Sequence, residues 1–255
     1  MKPLLLAGCL AFTLTHPLLS APPLALADLI AQGDLYDQQL QTQASLAAYL
    51  EAEKLSPPNA DLYRKIAREF ALAMPDTPSN SAKLALGQKA LAYAQRAVTT
   101  DPQNATAHLA LAICYGRLAS LVDNKTKLSY SKLLKSHAEK SIALNPSDDY
   151  AYHVLGAWHY EMASLNPILL GLAKIIYGNL PPASYEDATR NFQKAIQINP
   201  QRVSHHVELG RTYAALNQTA LAKTELKKGL ALPNTEKDDP GSKERANLTL
   251  RQLSP

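Results

Sequence analysis

Three segments of the chain end in the same way, and this repetition is the feature that most limits the possible folds. They are AYAQRAVTTDP (92–102), HAEKSIALNP (137–146) and NFQKAIQINP (191–200), and AAYLEAEKLSP (47–57) matches them more loosely. Each has small or apolar residues at positions i and i+3 and a proline after the last turn, which predicts an amphipathic helix that stops there. Repeated helices of this kind predict a stack in which neighbouring copies share one core.

Composition agrees with a helical chain. With 255 residues, of which 46% are apolar and 19% charged, the chain can bury a proper core and form one or two domains. Alanine and leucine dominate and glycine is scarce, with 10 residues, which favours helix over strand. The net charge of only +4 gives no reason to expect nucleic acid as a partner.

The last repeats resemble the tetratricopeptide repeat, whose signature is W-x2-L-G-x2-Y, then A-x3-F-x2-A, then P, over roughly 34 residues. Ala188, Phe192, Ala195 and Pro200 fall at the A, F, A and P positions. The repeat that follows, 201–234, has the standard length without gaps, and its signature positions hold Leu209, Gly210, Tyr213, Ala222, Leu226 and Gly229. The resemblance implies pairs of antiparallel helices in series.

Leu155-Gly156 falls at the Leu-Gly pair of the preceding repeat. There we expect the leucine to fill the space between two helices and the glycine to let their backbones approach. Trp158 is not the tryptophan of the repeat signature, because Tyr152 holds that position. About 20 residues are added after Trp158, and this apolar insertion covers about 164–183. We expect Trp158 to pack against it.

The pattern therefore predicts an all-α fold, a right-handed α-solenoid of about four tetratricopeptide-like hairpins within residues 28–255. Smaller additions in the earlier repeats are expected to form stretched polar loops at MPDTPSNS (74–81) and LVDNKTKLSYS (121–131). After the linker TEKDDPGS (235–242), KERANLTLRQL (243–253) is predicted to be a C-terminal capping helix.

The run HVLGAWHYEMASLNPILLGLAKIIYGNLPPASYEDATRNFQKAIQINP (153–200) resembles the repeat domain of the regulator of microtubule dynamics family. In that family a G-x-W-x-Y helix and an apolar insertion precede the motif P-x-A-(S/T)-x-E-x-A. The matching residues here are Gly156, Trp158, Tyr160, Pro182, Ala183, Ser184, Glu186 and Ala188. The resemblance covers about 105–234. The repeat domain of one family member binds phospholipid, so the resemblance implies a lipid as one possible ligand. Microtubule and mitochondrial roles are not carried over, because the N-terminus of this chain predicts export.

The N-terminus resembles a signal peptide. Lys2 precedes an apolar run over 3–14, and Ala25-Leu26-Ala27 fits a small-x-small cleavage site, which predicts a leader at 1–27. The run is too short to span a membrane, so we expect a periplasmic or secreted protein. Lipidation at Cys9 is disfavoured because only six apolar residues precede it. Once the leader is removed, Cys114 is the sole thiol, which excludes an intrachain disulfide and favours a small buried side chain.

No motif of an enzyme is present: the sequence lacks G-x-S-x-G, H-E-x-x-H, C-x-x-C and a phosphate-binding glycine loop. His153 and His159 lie on different faces of a helix, and His205 and His206 point about 100° apart. We therefore expect no metal and no cofactor.

The concave face is the candidate binding surface. In tetratricopeptide stacks the first helix of each pair lines this face, and its positions here hold Arg64, Arg68, Arg117, Tyr150, His153, Tyr160 and Arg211. The four arginines could receive carboxylates through bidentate hydrogen bonds, although helices also carry arginine on ordinary solvated faces. We expect an exported, non-enzymatic scaffold that binds a peptide or protein segment, with acidic groups on that partner. The alternative is a carrier of a lipid or small hydrophobic ligand that uses the insertion and the aromatic residues.

Overall fold

The computed structural model describes residues 25–165, 171 and 181–254, and within them the chain forms eleven helices. In chain order they are α1 Leu26–Gln38, α2 Thr42–Leu55, α3 Ala60–Ala73, α4 Asn80–Thr100, α5 Ala105–Leu118, α6 Asn124–Leu144, α7 Asp149–Ala163, α8 Tyr185–Ile198, α9 Val203–Ala215, α10 Thr219–Ala231 and α11 Asp239–Gln252. These described residues contain no strand.

The helices pack in consecutive pairs. The pairs α1–α2, α3–α4, α5–α6, α7–α8 and α9–α10 form hairpins, and the second helix of each hairpin also packs against the helix that follows. Helix α11 packs on α9 and α10 and covers the end of the stack. The predicted α-solenoid is confirmed. Its described part holds five hairpins and a capping helix, one hairpin more than the sequence indicates.

The additional hairpin is at the N-terminus. A Cβ atom on Gly33 of α1 would lie only 2.3 Å from Cε1 of Tyr49, so the two helices pack closely there. Ser45 Oγ donates a hydrogen bond to the Gly33 carbonyl at 3.0 Å, and Tyr49 OH donates to Asp34 at 2.6 Å. Helix α1 begins at Leu26, two residues before the predicted first residue of the mature chain. Residues 1–24 of the predicted leader lie outside the described residues.

The Leu-Gly pairs lie at close helix contacts, as the sequence predicts. A Cβ atom on Gly156 would lie 3.0 Å from the Phe192 ring and 3.2 Å from Cβ of Asn191. At Gly210 it would lie 2.6 Å from Cγ of Leu226 and 3.0 Å from that residue's backbone nitrogen. Any side chain at these two positions would therefore push α7 from α8, or α9 from α10.

The predicted loop at 121–131 is wrong from Asn124 onward, because the added residues lengthen a helix. Helices α4 and α6 have 21 residues each, whereas α8 has 14 and α10 has 13. The Asp123 carboxylate accepts hydrogen bonds from the backbone N–H groups of Lys125 and Thr126 and so starts α6 early. The other predicted loop, 74–81, gives way to helix at Asn80, and the capping helix begins at Asp239 instead of 243.

Histidine replaces tryptophan at the signature position of two repeats, three residues before the leucine. His206 Nε2 lies 2.9 Å from the Pro200 carbonyl oxygen, and His108 Nε2 lies 3.0 Å from that of Pro102. A carbonyl can only accept, so each Nε2 carries the proton and donates it. These hydrogen bonds tie the first helix of a repeat to the turn that ends the previous repeat.

Most of the predicted insertion, residues 166–170 and 172–180, lies outside the described residues. Ser184 caps the helix after it, since its hydroxyl accepts from the Asp187 backbone N–H at 3.0 Å. Trp158 is buried and turns to α6, where its Nε1 donates to Ser131 Oγ at 2.8 Å. Of the residues that the structure describes, Ala183 at the end of the insertion packs against the cluster that contains Trp158. None of the described helices is both long and apolar enough to cross a membrane.

Candidate functional site

The structure distributes the seven predicted site residues over three cavities. Arg64 and Arg68 of α3, Arg117 of α5 and Tyr150 of α7 line one cavity of about 240 Å³, which we call the arginine groove. His153 borders a second cavity of about 490 Å³, which also touches Arg117 and Tyr150. Tyr160 and Arg211 line a third cavity of about 430 Å³, here called the open pocket, together with residues of α11. The structure therefore joins four of the predicted residues in one place and puts Arg211 elsewhere.

The floor of the arginine groove is apolar. It is formed by Ala67, Ala71, Leu72, Leu109, Ala110, Ile113 and Cys114, which lie on α3 and α5. Cys114 is fully buried, as predicted, and burial raises the pKa of its thiol to about 12. The thiol therefore stays protonated at neutral pH and acts as a small apolar side chain.

Another wall of the groove is formed by Glu236, Lys237 and Asp238. They belong to the connection between α10 and α11, residues 232–238, which we call the groove linker. Arg117 Nη2 lies 2.6 Å from Asp238 Oδ2, and Arg202 Nη1 lies 2.7 Å from Glu236 Oε1. Lys237 Nζ lies 2.6 Å from Asp76 Oδ2 in the turn between α3 and α4. The linker thus joins the last repeats to the first ones through ion pairs.

Two further contacts set the position of the groove linker. Asp239 is buried at the start of α11, and its Oδ2 accepts from the backbone N–H groups of Thr235 at 2.8 Å and Glu236 at 2.7 Å. Lys237 Nζ also donates to Thr42 Oγ1 of α2 at 3.1 Å, across 195 residues of sequence. The sequence predicts only a linker here; the signal for its contact with the groove arginines is the acidic Glu-Lys-Asp-Asp sequence at 236–239.

The other groove arginines have carboxylate partners from their own part of the stack. Arg64 pairs with Asp61, one turn earlier on α3, and Arg68 bridges Asp37 and Glu69. Burial raises the pKa of Glu69 to about 7, although Arg68 opposes this shift and Asp37 adds to it. Glu69 Oε2 is buried without a hydrogen-bond partner among the described residues. Asp37 and Glu69 therefore lie close together beside Arg68, and one oxygen of Glu69 has no hydrogen-bond donor among the described residues.

A chain of polar side chains runs from partly buried Asp149 through buried His205 to buried His153. His205 Nε2 lies 2.8 Å from Asp149 Oδ2, and the two Nδ1 atoms of His205 and His153 lie 3.0 Å apart. Burial lowers the pKa of both histidines, whereas His205 and Arg202 hold the pKa of Asp149 at about 2 despite its burial. Both imidazoles are thus neutral and the carboxylate is charged. His205 donates through Nε2 to Asp149 and accepts at Nδ1 from His153, which leaves His153 Nε2 as an acceptor at the second cavity.

Arg202 links this chain to the groove. Its Nε lies 2.9 Å from Asp149 Oδ2, although the N–H does not point at that oxygen, so the contact is an ion pair and not a hydrogen bond. Its guanidinium also lies 4.9 Å from the centre of the Tyr150 ring. Sequence reasoning missed Arg202, because it precedes α9 and does not occupy a concave position of the repeat signature.

The open pocket has a simpler arrangement. The Arg211 guanidinium lies 4.8 Å from the centre of the Tyr160 ring, and Arg211 Nη1 lies 2.5 Å from Glu208 Oε2 on the same helix. Arg245 of α11 reaches the other oxygen of Glu208 at 3.3 Å. Exposed Leu248 completes the rim. Throughout the described residues, no group of three or more His, Cys, Asp or Glu side chains could hold a metal ion.

The stacked hairpins, the Leu-Gly contacts and the groove formed by successive first helices define a tetratricopeptide repeat protein. Residues 29–254 match the family described as regulator of microtubule dynamics protein 1-3, and the chain belongs to this family. It is 32% identical over 227 residues to mouse regulator of microtubule dynamics protein 1, an alignment that covers 87% of this chain and 73% of the mouse protein. The human counterpart is 33% identical over 172 residues, 67% of this chain and 55% of that protein.

The fold has a solved counterpart in a tetratricopeptide repeat protein of Thermus thermophilus. The two share 17% sequence identity with a TM-score of 0.65, and the match covers 89% of this chain and all of the other. At this identity the similarity concerns the fold alone. Tetratricopeptide folds generally bind proteins or peptides, and together with the relatives' names this points to a non-catalytic scaffold.

Proposed function

We propose that the protein is a non-enzymatic scaffold that binds an acidic segment of a partner protein in the arginine groove. The observation that carries this proposal is the convergence of Arg64, Arg68 and Arg117, from two successive first helices, on one cavity with an apolar floor. Guanidinium groups bind carboxylates through paired hydrogen bonds, and small apolar walls accommodate a peptide backbone. Arg202 adds a fourth guanidinium to the same cavity.

Binding of two matched synthetic peptides tests this proposal. One is rich in glutamate, and the other carries glutamine at the same positions. We expect only the glutamate peptide to bind, with an affinity that falls as the NaCl concentration rises, because salt screens ion pairs at a solvent-accessible groove. Isothermal titration or fluorescence anisotropy up to millimolar peptide measures both affinities.

The matched variants are Arg117→Gln and Arg251→Gln. Arg117 lies in the groove, whereas Arg251 is an exposed arginine of α11 outside it, so both variants lose one positive charge. We expect the first to weaken binding of the glutamate peptide about tenfold or more, the cost of a lost charged hydrogen bond. The second should leave it unchanged. Equal binding of the glutamine peptide, or equal loss in both variants, would contradict the proposal.

The second cavity favours a different candidate function, the carriage of a lipid or small hydrophobic ligand. Its wall includes Ile113, Leu134, Val154 and Trp158, and Arg117 and Lys127 supply positive charge at the same cavity. An acyl chain with an acidic head group fits this combination of apolar and basic surface. Native mass spectrometry of gently purified protein, with added oleate as a probe, tests it. Neither a co-purified adduct nor an oleate complex would be seen if this candidate is wrong.

We further propose that the protein is exported to the periplasm or secreted. The support is the apolar run at 3–14 and the small residues at Ala25 and Ala27. N-terminal sequencing of the purified native protein checks this, with Asp28 or a near neighbour expected as the first residue. Recovery of a chain that still begins at Met1 in the cytoplasm would contradict it.

A further inference from the structure

Two carboxylates of the groove linker lie against two arginines of the groove. Glu236 pairs with Arg202, and Asp238 pairs with Arg117. Lys237, between them, turns instead to Asp76 and Thr42. The linker therefore places an acidic residue, a spacer and a second acidic residue in the cavity that the proposed function assigns to a partner.

We propose that the groove linker is an internal substitute for the partner's peptide, and that a partner segment with two carboxylates separated by one residue displaces it. The inference rests on the proposed function and adds two things to it. It names the pattern of charges that the partner presents, acidic-x-acidic. It also states that the groove must open at residues 233–238 before the partner binds.

Charge complementarity indicates the chemistry of the displacing segment. Among the residues that the structure describes, Asp238 is the only carboxylate that pairs with Arg117. When the linker leaves, Arg117 loses its counterion, whereas Arg202 keeps only Asp149. A half-buried guanidinium without a counterion is unfavourable, so the molecule that replaces the linker has to supply carboxylates. A neutral or basic segment would not compensate for the lost pairs.

The ion pairs between the groove linker and the groove arginines are weak enough to be exchanged. The Asp238 side chain is 42% exposed, and ion pairs at such exposed positions contribute little to stability. Burial raises the pKa of Glu236 although Arg202 and Arg68 lower it, so the charged form of this side chain is not fully compensated in the groove. The linker competes mainly because it is part of the same chain and therefore has a high effective concentration.

The helices on either side of the linker have their own anchors. Leu232 packs against the cluster of Val203, Val207 and Leu226, and Ala246 of α11 is fully buried in the same cluster. Displacement breaks the hydrogen bonds from Thr235 and Glu236 to Asp239, but it can be limited to residues 233–238 while α10 and α11 stay in place. A partner segment can then contact Leu109 and Ile113 on the apolar floor of the groove, and no helix has to unfold.

The decisive test uses a synthetic peptide with the linker's own sequence, LPNTEKDDP (232–240). Its affinity is compared for the wild-type chain, the double variant Glu236→Gln with Asp238→Asn, and the control Glu186→Gln with Glu244→Gln. The control removes two exposed carboxylates outside the groove. If the linker fills the groove about nine-tenths of the time, the groove variant binds the peptide about tenfold tighter than the other two proteins. Adding Arg117→Gln to the groove variant should abolish this gain.

The outcomes separate the two proposals. Equal affinity for the wild-type chain and the groove variant overturns the internal substitute, while the scaffold with an acidic partner stands. Failure of every protein to bind both this peptide and the glutamate-rich peptide overturns the proposed function as well. Circular dichroism and a thermal melt establish that the variants are folded.

A second measurement on the wild-type chain does not depend on the variants. Saturation with the glutamate-rich peptide should speed amide hydrogen exchange in residues 233–238, because the peptide displaces them, while α9 and α10 remain protected. Bound peptide with unchanged exchange in this segment would contradict displacement.

Discussion

The arginine groove and the open pocket both contain arginines from the first helices of hairpins, but they balance charge in opposite ways. In the groove, three carboxylates surround Arg68, those of Asp37, Glu69 and Glu236. In the open pocket, the Glu208 carboxylate forms ion pairs with two arginines, Arg211 and Arg245. Arg68 of the groove therefore lies among several acids, whereas Glu208 of the open pocket lies between two bases.

The difference arises from where the partners come from along the chain. Glu208 and Arg211 are one helical turn apart on α9, so their pairing follows from helix geometry alone. Asp238 reaches Arg117 across 121 residues, so only the tertiary fold brings them together. Arginines at equivalent repeat positions therefore differ in the carboxylates that surround them, and the repeat position alone does not predict how far the charge of an arginine is neutralised.

The largest effect is expected at Glu69. Its folded-state pKa of about 7 lies above the ordinary value of 4.5, so the folded chain binds more protons between these pH values and wild-type stability falls as pH rises through this window. A shift of this size corresponds to about 3 kcal/mol. Glu69→Gln should therefore be more stable than the wild type at pH 8 and lose this advantage near pH 4.5.

Urea denaturation at both pH values measures this effect, with Glu208→Gln as the matched control from the open pocket. That variant removes the one carboxylate between two arginines and should be less stable than the wild type at pH 8. If both variants change stability in the same direction, the contrast between the two regions is wrong.

Asp149, which pairs with Arg202 at the edge of the groove, should behave in the opposite sense to Glu69. Its pKa is lowered to about 2 from 3.8, so its contribution to stability is fully present above pH 4 and is lost as pH falls towards 2. This contribution is about 2 kcal/mol. In Asp149→Asn, whose side chain does not titrate, this part of the acid dependence should disappear. Thermal unfolding between pH 5 and pH 2 measures it, and identical acid profiles would exclude a strongly lowered pKa.

The smallest effects on stability are expected from Arg117→Ala and Arg211→Ala. Each should cost less than about 1 kcal/mol, because Asp238 is partly exposed and because Glu208 keeps Arg245 as a partner. Their local effects should differ. Arg117→Ala should speed hydrogen exchange in residues 233–238 and Arg211→Ala should not, since Arg117 contacts the groove linker and Arg211 does not. Equal exchange of this segment in both variants would show that the Arg117 ion pair does not hold it.

The repeat architecture was largely predictable, because it rests on contacts between neighbouring helices. Helices end just before the prolines at 102, 146 and 200, and the glycines at 156 and 210 lie where two helices pack closely. The predicted loop at 121–131 failed for a local reason, since polar residues are compatible with both loop and exposed helix and the Asp123 cap favours the helix. Helix α1 was missed because its sequence lacks the repeat signature.

The sequence by itself determined the class of fold and the presence of arginines on the first helices, because helix period and close packing depend on residues near each other in the chain. Tertiary structure decided which of those arginines meet one another and which carboxylates lie beside them. Arg64, Arg68 and Arg117 share a cavity, Arg211 does not, and the groove linker returns to it from the far end of the stack. Ion pairing depends on distance in space, and small rotations between successive hairpins accumulate into a curvature that spacing along the chain does not encode.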